Sequence, residues 1–380
     1  MKIFACDIEA TTFKKGDPFA KCNQFVLGAI GDCDRYHTFV GDARCIQSTF
    51  DDAQMVVFFN AKFDLHWLRR IGIKFSIRLP IWDCQLAEFI LSNQRWKYPN
   101  LDGACAKRNL PRKLDVVKTE YWDKGIDTTA VPFDILNEYL QGDIVSTYSL
   151  YLDQVERFKQ PEHAMKYRLF RLQCYDLMTL EEMEWNGFKF AEEEARAESR
   201  RLEGEITALD NRILGEFPDI PINLGSPNHI SVMLYGGTIT GTTKVPVGVF
   251  KTGVRQGQIK YQNVEQVYEL PRLIEPLKGS ELAKEGYYST NEDVLRSLKA
   301  SAKGKKIIDA LLERRGLEKL RGTYYDGIPN LITEHDWQNS IVHGQFNQCV
   351  TVTGRLSGTK PNQQNLPGDC KRYCVSRYGN

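Results

Sequence analysis

The sequence predicts an α/β fold for residues 1–160 and a mainly helical fold for most of the chain that follows. Near the start, apolar runs rich in β-branched and aromatic residues alternate with helix-like runs, and polar or glycine-containing turns bound each of them. This alternation predicts a mixed sheet covered by helices. Further along, Ala191 to Phe217 is strongly helix-forming, with leucine and isoleucine on one stripe, which predicts a long helix. The strand-like runs are KIFACDIEA, FVLGAIG, YHTFV and VVFFN.

Helical patterns complete the first domain. A helix begins near Ala61, and further patterns cover roughly Asp83 to Leu91, Leu101 to Arg108 and Phe133 to Phe158. An aspartate at a helix start is more often an N-cap than a ligand, so Asp83 is interpreted as a cap.

A helix break in the segment KQPEHA places the end of the first domain near residue 160. A second domain, residues 161–335, opens with an amphipathic helix over Ala164 to Trp185 and a short strand in NGFKF. Residues 236–288 are rich in glycine, threonine, valine and lysine, and TGVRQGQ within them predicts a hairpin turn, so we interpret them as an insertion.

Helices resume at Asn291 to Ser301 and at Lys305 to Tyr325. The run VHGQFNQCVTVTG is then typical of a strand. It belongs to a third region, residues 336–380.

Composition is that of an ordinary globular protein, with 42% hydrophobic and 26% charged residues over 380 positions. No apolar run is long enough for a membrane span and the start does not resemble a signal peptide, so we expect a soluble, cytoplasmic protein. The ten cysteines stand singly, which argues against a zinc or redox motif. A net charge of +1 indicates that any nucleic-acid site depends on local basic patches around an acidic pocket.

Acidic residues follow the predicted strands in a pattern that suits metal binding. Asp7 and Glu9 are two apart on the first strand, so both side chains lie on one face. Asn60 ends a strand, and Asp64 lies in the first turn of the next helix. In carboxylate-held two-metal sites the ions lie about 3.5 to 4 Å apart, activate water and stabilise a leaving oxyanion, which is the chemistry of phosphodiester hydrolysis.

A third acidic element lies on the predicted helix from residue 133 to residue 158. Tyr139 and Asp143 are four apart, so they share one face of that helix. Oxygen ligands without a histidine or cysteine cluster favour two Mg²⁺ ions, with Mn²⁺ as an alternative. Alone, a DxE pair is usually a solvated strand end and a YxxxD pair a helix face. Their order and settings together favour a nuclease site.

These motifs resemble the DEDD superfamily of 3′→5′ exonucleases, in the subclass whose third motif is Tyr-x-x-x-Asp. The resemblance implies a ribonuclease H-like exonuclease domain. It also implies that Asp7, Glu9 and Asp143 bind one metal ion, and that Asp7 bridges to a second ion associated with Asp64. By the same resemblance, Tyr139 completes the catalytic set by orienting the attacking water, and Asn60 helps to hold the DNA strand.

The remainder of the chain resembles family A DNA polymerases. VTVTGRLSGTKPNQQNLP is similar to the segment that precedes their first palm catalytic motif, and MEWNGFKF, NLGSPNHISVMLYGG, YYSTNEDVLRSL and LLERRGLEKLRGTYYDGIPNLI are similar to thumb segments. The pattern looks most like phage-type members, which begin directly with the exonuclease; the location would then be the host cytoplasm.

The resemblance implies contacts with a single-stranded 3′ end and with primer-template duplex. Between residues 303 and 321 lies a basic surface that charge alone would assign to a solvated helix face, and that family position assigns to DNA. The expected DNA-contacting residues outside the acidic site are Arg314, Arg315, Lys319, Arg321, Arg355, Gln363, Gln364 and Asn365. The insertion at 236–288 is expected to contact DNA or a processivity factor.

Neither palm aspartates nor a fingers helix is recognisable in the sequence, so this chain by itself is not expected to synthesise DNA. The end at Asn380 is interpreted either as a natural gene split, with a second polypeptide supplying palm and fingers, or as an artificial end. The predicted function is a proofreading 3′→5′ exonuclease with a DNA-binding thumb. The alternative is a non-catalytic subunit that grips DNA and assembles the polymerase. A free-standing RNA-trimming nuclease is disfavoured by the thumb-like segments.

Overall fold

A computed structural model describes residues 2–41, 43–112 and 114–378. Asn380, to which the expectation about the end of the chain refers, lies outside these ranges. The strands are β1 (Ile3–Ala10), β2 (Phe25–Gly31), β3 (Tyr36–Phe39), β4 (Met55–Phe58), β5 (Ile81–Asp83), β6 (Phe188–Phe190), β7 (Gly237–Val249), β8 (Ile259–Leu270), β9 (Ile341–Val342), β10 (Gln345–Asn347), β11 (Ser357–Thr359) and β12 (Cys374–Val375).

Helices fill most of the chain between these strands. They are α1 (Gln47–Asp51), α2 (Ala61–Arg70), α3 (Cys84–Leu91), α4 (Leu101–Ala106), α5 (Val116–Glu120), α6 (Phe133–Phe158), α7 (Ala164–Asn186), α8 (Glu192–Leu214), α9 (Pro227–Tyr235), α10 (Glu292–Ser297), α11 (Ala302–Leu320), α12 (Gly327–Glu334) and α13 (Gly368–Lys371).

The chain folds as two compact units, one of which is discontinuous in sequence. Unit 1 contains the residues up to Ala195 together with those from Gly327 onward, and unit 2 is Arg196–Asp326. The predicted domain borders at residues 160 and 335 do not coincide with this division. The reason is that long-range strand pairing, which sequence patterns do not reveal, joins the C-terminal segment to unit 1.

Unit 1 is built on a mixed five-stranded sheet in the order β3-β2-β1-β4-β5. β1 pairs antiparallel with β2 and parallel with β4, which in turn pairs parallel with β5. Both faces of β4 are buried, as expected for a central strand covered by helices. Helix α6 packs against β1 and β2, while α7 packs against α2 and α3. The predicted mixed α/β fold is confirmed.

A second sheet shows why the C-terminal segment belongs to unit 1. Strand β6 pairs with β9 on one side and with β12 on the other. Here the strand prediction for VHGQFNQCVTVTG was too long: the structure has β9 and β10, and the segment after β10 forms a turn. The predicted helix ending at Tyr325 likewise changes to a π-helical turn at Arg321–Tyr325.

Unit 2 is helical around an apolar core, with a long antiparallel ribbon formed by β7 and β8. The predicted hairpin in the insertion is therefore confirmed. Ile239 and Leu270 at the base of the ribbon belong to the core of the unit. Among the described residues, no helix combines the length and apolar character that crossing a membrane would require.

Candidate acidic site

Three carboxylates meet where β1 faces α6. Ligand oxygens of Asp7, Glu9 and Asp143 all lie within 4.8 Å of one another. Asp7 and Glu9 share one face of β1 because strand side chains alternate. Asp143 reaches them from α6, which packs against the same strand. The structure thus brings together residues that are more than 130 positions apart in sequence.

Asp64 lies beside this cluster and is fixed by the backbone of β1. Its Oδ1 accepts a hydrogen bond of 3.0 Å from the amide of Ile8, the residue between Asp7 and Glu9. The side chain is 2% exposed. Burial, followed by the charge of Asp7, raises its pKa well above the ordinary value. A carboxylate held in this way favours either protonation or a cation that offsets the neighbouring charges.

Tyr139 closes the buried side of the site. Its ring packs edge-on against Trp122 with centroids 5.6 Å apart, and its side chain is hydrogen-bonded to Asp143. Burial first, and then the charges of Asp143 and Glu9, raise the pKa of the phenol. The phenol therefore remains protonated at neutral pH and can donate a hydrogen bond. This placement fits the water-orienting role that the sequence predicts.

The second predicted motif begins at the N-terminus of α2. Asn60 has a left-handed backbone, with φ of 71°, and its side chain is exposed. Asp83 ends β5 and caps α3 by accepting from the amide of Leu86 at 2.8 Å, so its interpretation as a cap is confirmed. The same carboxylate accepts from the amide of Ala61 at 2.7 Å. Asp83 thus fixes the start of the helix that carries Asp64.

An open cavity of about 870 Å³ gives access to the acidic residues. Asn60 and Tyr139 line it together with the four acids. Two lysines, Lys15 and Lys118, also line it and were not singled out from the sequence. Lys15 could have been found from the sequence, since it precedes Gly16 in the turn that follows β1. Lys118 comes from a distant segment, and nothing in the sequence indicated that it lines the cavity.

These donors fit divalent ions. All of the clustered ligands are carboxylate oxygens, which suit Mg²⁺ or Mn²⁺ rather than zinc. Burial and the charges of Asp7 and Glu9 raise the pKa of Asp64, and a bound cation would offset the repulsion between these carboxylates. Asp7, Glu9 and Asp143 could hold one ion, and Asp64 lies close enough to Asp7 to interact with its charge.

In unit 2 the predicted DNA contacts divide by exposure. Arg314 is 7% exposed and its guanidinium pairs with Asp210 and with Glu318 at 2.8 Å, so the structure moves it from the predicted DNA surface to the interior. Arg315 is half-buried and donates to the backbone of Thr290. A buried, paired cation has no free charge for a phosphate.

The other two cations of this group remain near the surface. Lys319 is exposed, whereas Arg321 is half-buried and bonds Ser199 Oγ at 3.0 Å, with Glu203 and Asp326 each 3.3 Å away. Lys319 is therefore the most accessible of the predicted contacts in unit 2.

The polar residues near the C-terminus lie in unit 1. The side chains of Arg355, Gln364 and Asn365 are exposed, and Gln363 is half-buried against Gly344. Gln364 Oε1 accepts from the amide of Gly358 at 3.0 Å, which ties the turn after β11 back onto that strand. This arrangement leaves Arg355 and Asn365 accessible to a ligand.

Comparison with known proteins shows which proteins the chain is similar to. Residues 263–377 match the family model of DNA polymerase family A. DNA polymerase I of Synechocystis sp. is 28% identical over 318 residues, covering 81% of this chain and 26% of that protein. DNA polymerase I of Deinococcus radiodurans is 51% identical over 61 residues, 16% of this chain and 6% of that protein. Residues 263–377 thus match DNA polymerase family A, and most of the chain is similar to part of DNA polymerase I.

A solved structure agrees on the fold. The POL domain of Pol1 from M. smegmatis, in complex with DNA primer-template and dNTP, has a TM-score of 0.64 and 18% identity. The match covers 98% of this chain and 54% of that one. The chain spans 26% and 28% of the length of the polymerases I from Synechocystis sp. and Chloroflexus aurantiacus.

Proposed function

We propose that this chain is part of a DNA polymerase I-like enzyme and that its acidic site is a proofreading 3′→5′ exonuclease. The observation that carries the proposal is the convergence of Asp7, Glu9 and Asp143 within 4.8 Å at an open cavity. The family A region at residues 263–377 supports DNA as the substrate.

The residues of the site divide the work of hydrolysis. Asp7, Glu9 and Asp143 would hold one divalent ion, and Asp64 together with Asp7 would hold a second. When bound, the ions activate water and stabilise the leaving oxyanion. The protonated phenol of Tyr139 orients the attacking water. The exposed side chain of Asn60 contacts the terminal nucleotide at the rim of the cavity.

Binding of primer-template duplex is the second part of the proposal. Exposed cations bind phosphates without reading sequence, which suits an enzyme that acts along any template. The exposed cations that we assign to this contact are Lys319 and Arg355, and the exposed amides Gln364 and Asn365 accompany them.

DNA synthesis requires palm and fingers elements. We propose that either a longer polypeptide or a second polypeptide supplies them. The chain spans about a quarter of its curated relatives, so polymerisation is a property to be tested on the larger assembly. The phage-type arrangement, the cytoplasmic location and a processivity factor at the insertion stay predictions.

Digestion of a 5′-labelled primer-template in Mg²⁺ tests the exonuclease. We expect stepwise shortening from the 3′ end, faster for a mismatched end than for a paired end. Asp7→Ala should abolish shortening because Asp7 contributes to both proposed ion sites. The matched control is Asp34→Ala, which removes an exposed aspartate outside the cavity and should digest like the wild type.

Absence of shortening by the folded wild-type chain, with either Mg²⁺ or Mn²⁺, would contradict the exonuclease. Retained duplex binding in that case would support the alternative of a DNA-gripping assembly subunit. Equal digestion by wild type and Asp7→Ala would show that the activity comes from somewhere other than this site.

A further inference from the structure

The distal part of the β7–β8 ribbon, defined here as residues 244–264, extends into solvent. Among its described residues all side chains except Phe250 are exposed. They include large apolar side chains on both strands, such as Val247, Ile259 and Tyr261. A two-stranded ribbon without a packing partner is marginally stable in water. The exposure of these apolar side chains indicates that a ligand covers the distal ribbon.

Charge indicates the kind of ligand. The distal ribbon has four cations and no acidic residue, although the whole chain has 50 basic and 49 acidic residues. Four amide side chains accompany the cations: Gln256, Gln258, Gln262 and Asn263. The cations are Lys244, Lys251, Arg255 and Lys260. A cationic, amide-rich surface complements a phosphate backbone.

The strand register distributes these groups over both faces. On one face, Lys244 is opposite Asn263. On the other face, Val245 is opposite Gln262, and Lys260 shares that face because it lies two residues before Gln262 on the same strand. Each face thus combines a cation with amide or apolar groups. A ribbon that docked on another protein sheet would present one apolar face and one polar face. A ligand that surrounds the ribbon with phosphates on two sides fits the mixed pattern better.

We propose that the distal ribbon binds duplex DNA by entering the major groove. That groove is about 12 Å wide and admits a two-stranded ribbon, and the minor groove is narrower, at about 6 Å. The cations then face the two phosphate backbones that border the groove, and the amides and apolar groups face the base edges. The proposal requires neither the acidic site nor hydrolysis, so it can fail independently of the exonuclease.

Neutralising the ribbon tests the proposal on the full chain. Binding of a labelled blunt duplex is measured by fluorescence anisotropy in EDTA, which prevents metal-dependent cleavage, from about 0.05 to 0.2 M salt. The test variant replaces the four distal cations with glutamine. Each lost phosphate contact should reduce the slope of log affinity against log salt by about 0.9, with binding about tenfold or more weaker near 0.1 M salt.

A control variant removes the same charge from unit 2 outside the ribbon. It should bind duplex DNA more tightly than the ribbon variant does. The four exposed cations that it replaces with glutamine are Arg200, Lys278, Lys284 and Lys299. A shortened chain, in which an Asn-Gly turn joins the paired residues Thr242 and Glu265, should lose binding as the ribbon variant does.

Equal duplex affinity and salt slope for the ribbon and control variants would overturn the proposal. The proposal would also be overturned if the folded, shortened chain bound duplex DNA with wild-type affinity. That result would indicate that the distal ribbon binds a protein partner instead. Circular dichroism of each variant distinguishes lost binding from lost folding.

Discussion

At the scale of single residues, Asp64 is a carboxylate of the acidic site whose pKa is raised by burial and by the charge of Asp7. It is buried, bonded to the Ile8 amide and close to Asp7. Asp64→Asn keeps an oxygen acceptor for that amide and removes the charge. We expect the variant to fold and its digestion rate to fall by about 100-fold or more, since loss of a ligand costs more than an outer-shell change.

The same substitution has a pH signature. The folded-state pKa of Asp64 is raised above its unfolded value, so the contribution of Asp64 to stability falls as pH rises above about 4. Asp64→Asn lacks this loss. In EDTA, the melting temperature of the variant should exceed that of the wild type at pH 7, and the difference should shrink as pH falls toward 4. A constant difference would contradict the burial of a charged Asp64.

Tyr139 permits a test of the phenol separately from the acids. Tyr139→Phe keeps the ring packed on Trp122 and removes only the hydroxyl that bonds Asp143. The free energy of unfolding should fall by about 1 kcal/mol. If the phenol orients the attacking water, the digestion rate should fall by up to about 100-fold while DNA affinity is unchanged. An unchanged rate would restrict Tyr139 to packing.

At the scale of elements, Glu184 on α7 joins α2 to β10. Its Oε1 accepts from Lys62 Nζ at 2.5 Å and from the Phe346 amide at 2.6 Å. Its Oε2 is 3.0 Å from His66 Nε2, and His66 Nδ1 is 3.3 Å from Glu181. Because α2 also carries Asp64, this buried network helps to position the acidic site.

Breaking that network should be costly. Glu184→Gln leaves Lys62 and His66 buried with one carboxylate fewer, which destabilises by about 3 to 5 kcal/mol in comparable buried pairs. Urea unfolding measures the change. The control is Glu182→Gln, which removes a half-exposed partner of Arg69 and should cost less than about 1 kcal/mol. Similar losses for both variants would contradict the importance of burial.

The network also predicts how stability depends on pH. Burial alone would lower the pKa of His66, but hydrogen bonds to Glu181 and Glu184 raise it above the ordinary value. The stabilisation of the fold by protonated His66 is present below about pH 6.5 and is lost as pH rises through the raised pKa of His66. His66→Gln should remove this decline in urea midpoints above about pH 6.5. The same decline in wild type and variant would assign it to another group.

At the scale of the whole molecule, local patterns and distant pairings differ in how far sequence predicts them. Helix α6 begins and ends where the periodicity indicates, and β2 matches its apolar run. The DxE and YxxxD motifs met at one site because each motif is local and their elements pack together. Strand β5 was missed because three residues give no periodicity.

Contacts between distant segments had no comparable signal. Glu184 and His66 are 118 positions apart, and Arg314 reaches Asp210 over 104 positions. A charged residue of an amphipathic helix gives no indication in sequence of whether it is solvated or paired in the interior. The basic stretch around Arg314 therefore suggested a surface where the structure has an internal ion pair.

Unit 1 is discontinuous in sequence, so its acidic site should depend on the C-terminal segment. The positions of the acidic residues alone would not suggest this dependence. All of them precede residue 144, yet the C-terminal segment supplies partners to the same unit. Asp17 bonds His335 at 2.6 Å and Trp337 at 3.1 Å, the Phe346 amide bonds Glu184, and β9 and β12 flank β6. Removal of this segment exposes these groups without partners.

Truncation after Asp326 should therefore impair the acidic site although it removes none of its residues. We expect a lower melting temperature and digestion at least about tenfold slower than the full chain, because α2 loses its support from β10. The shortened-ribbon variant, altered only in unit 2, is the control and should digest single-stranded DNA at the wild-type rate. If the truncated chain melts and digests like the full one, residues 1–195 fold alone, and the contacts with the C-terminal segment contribute little to the site.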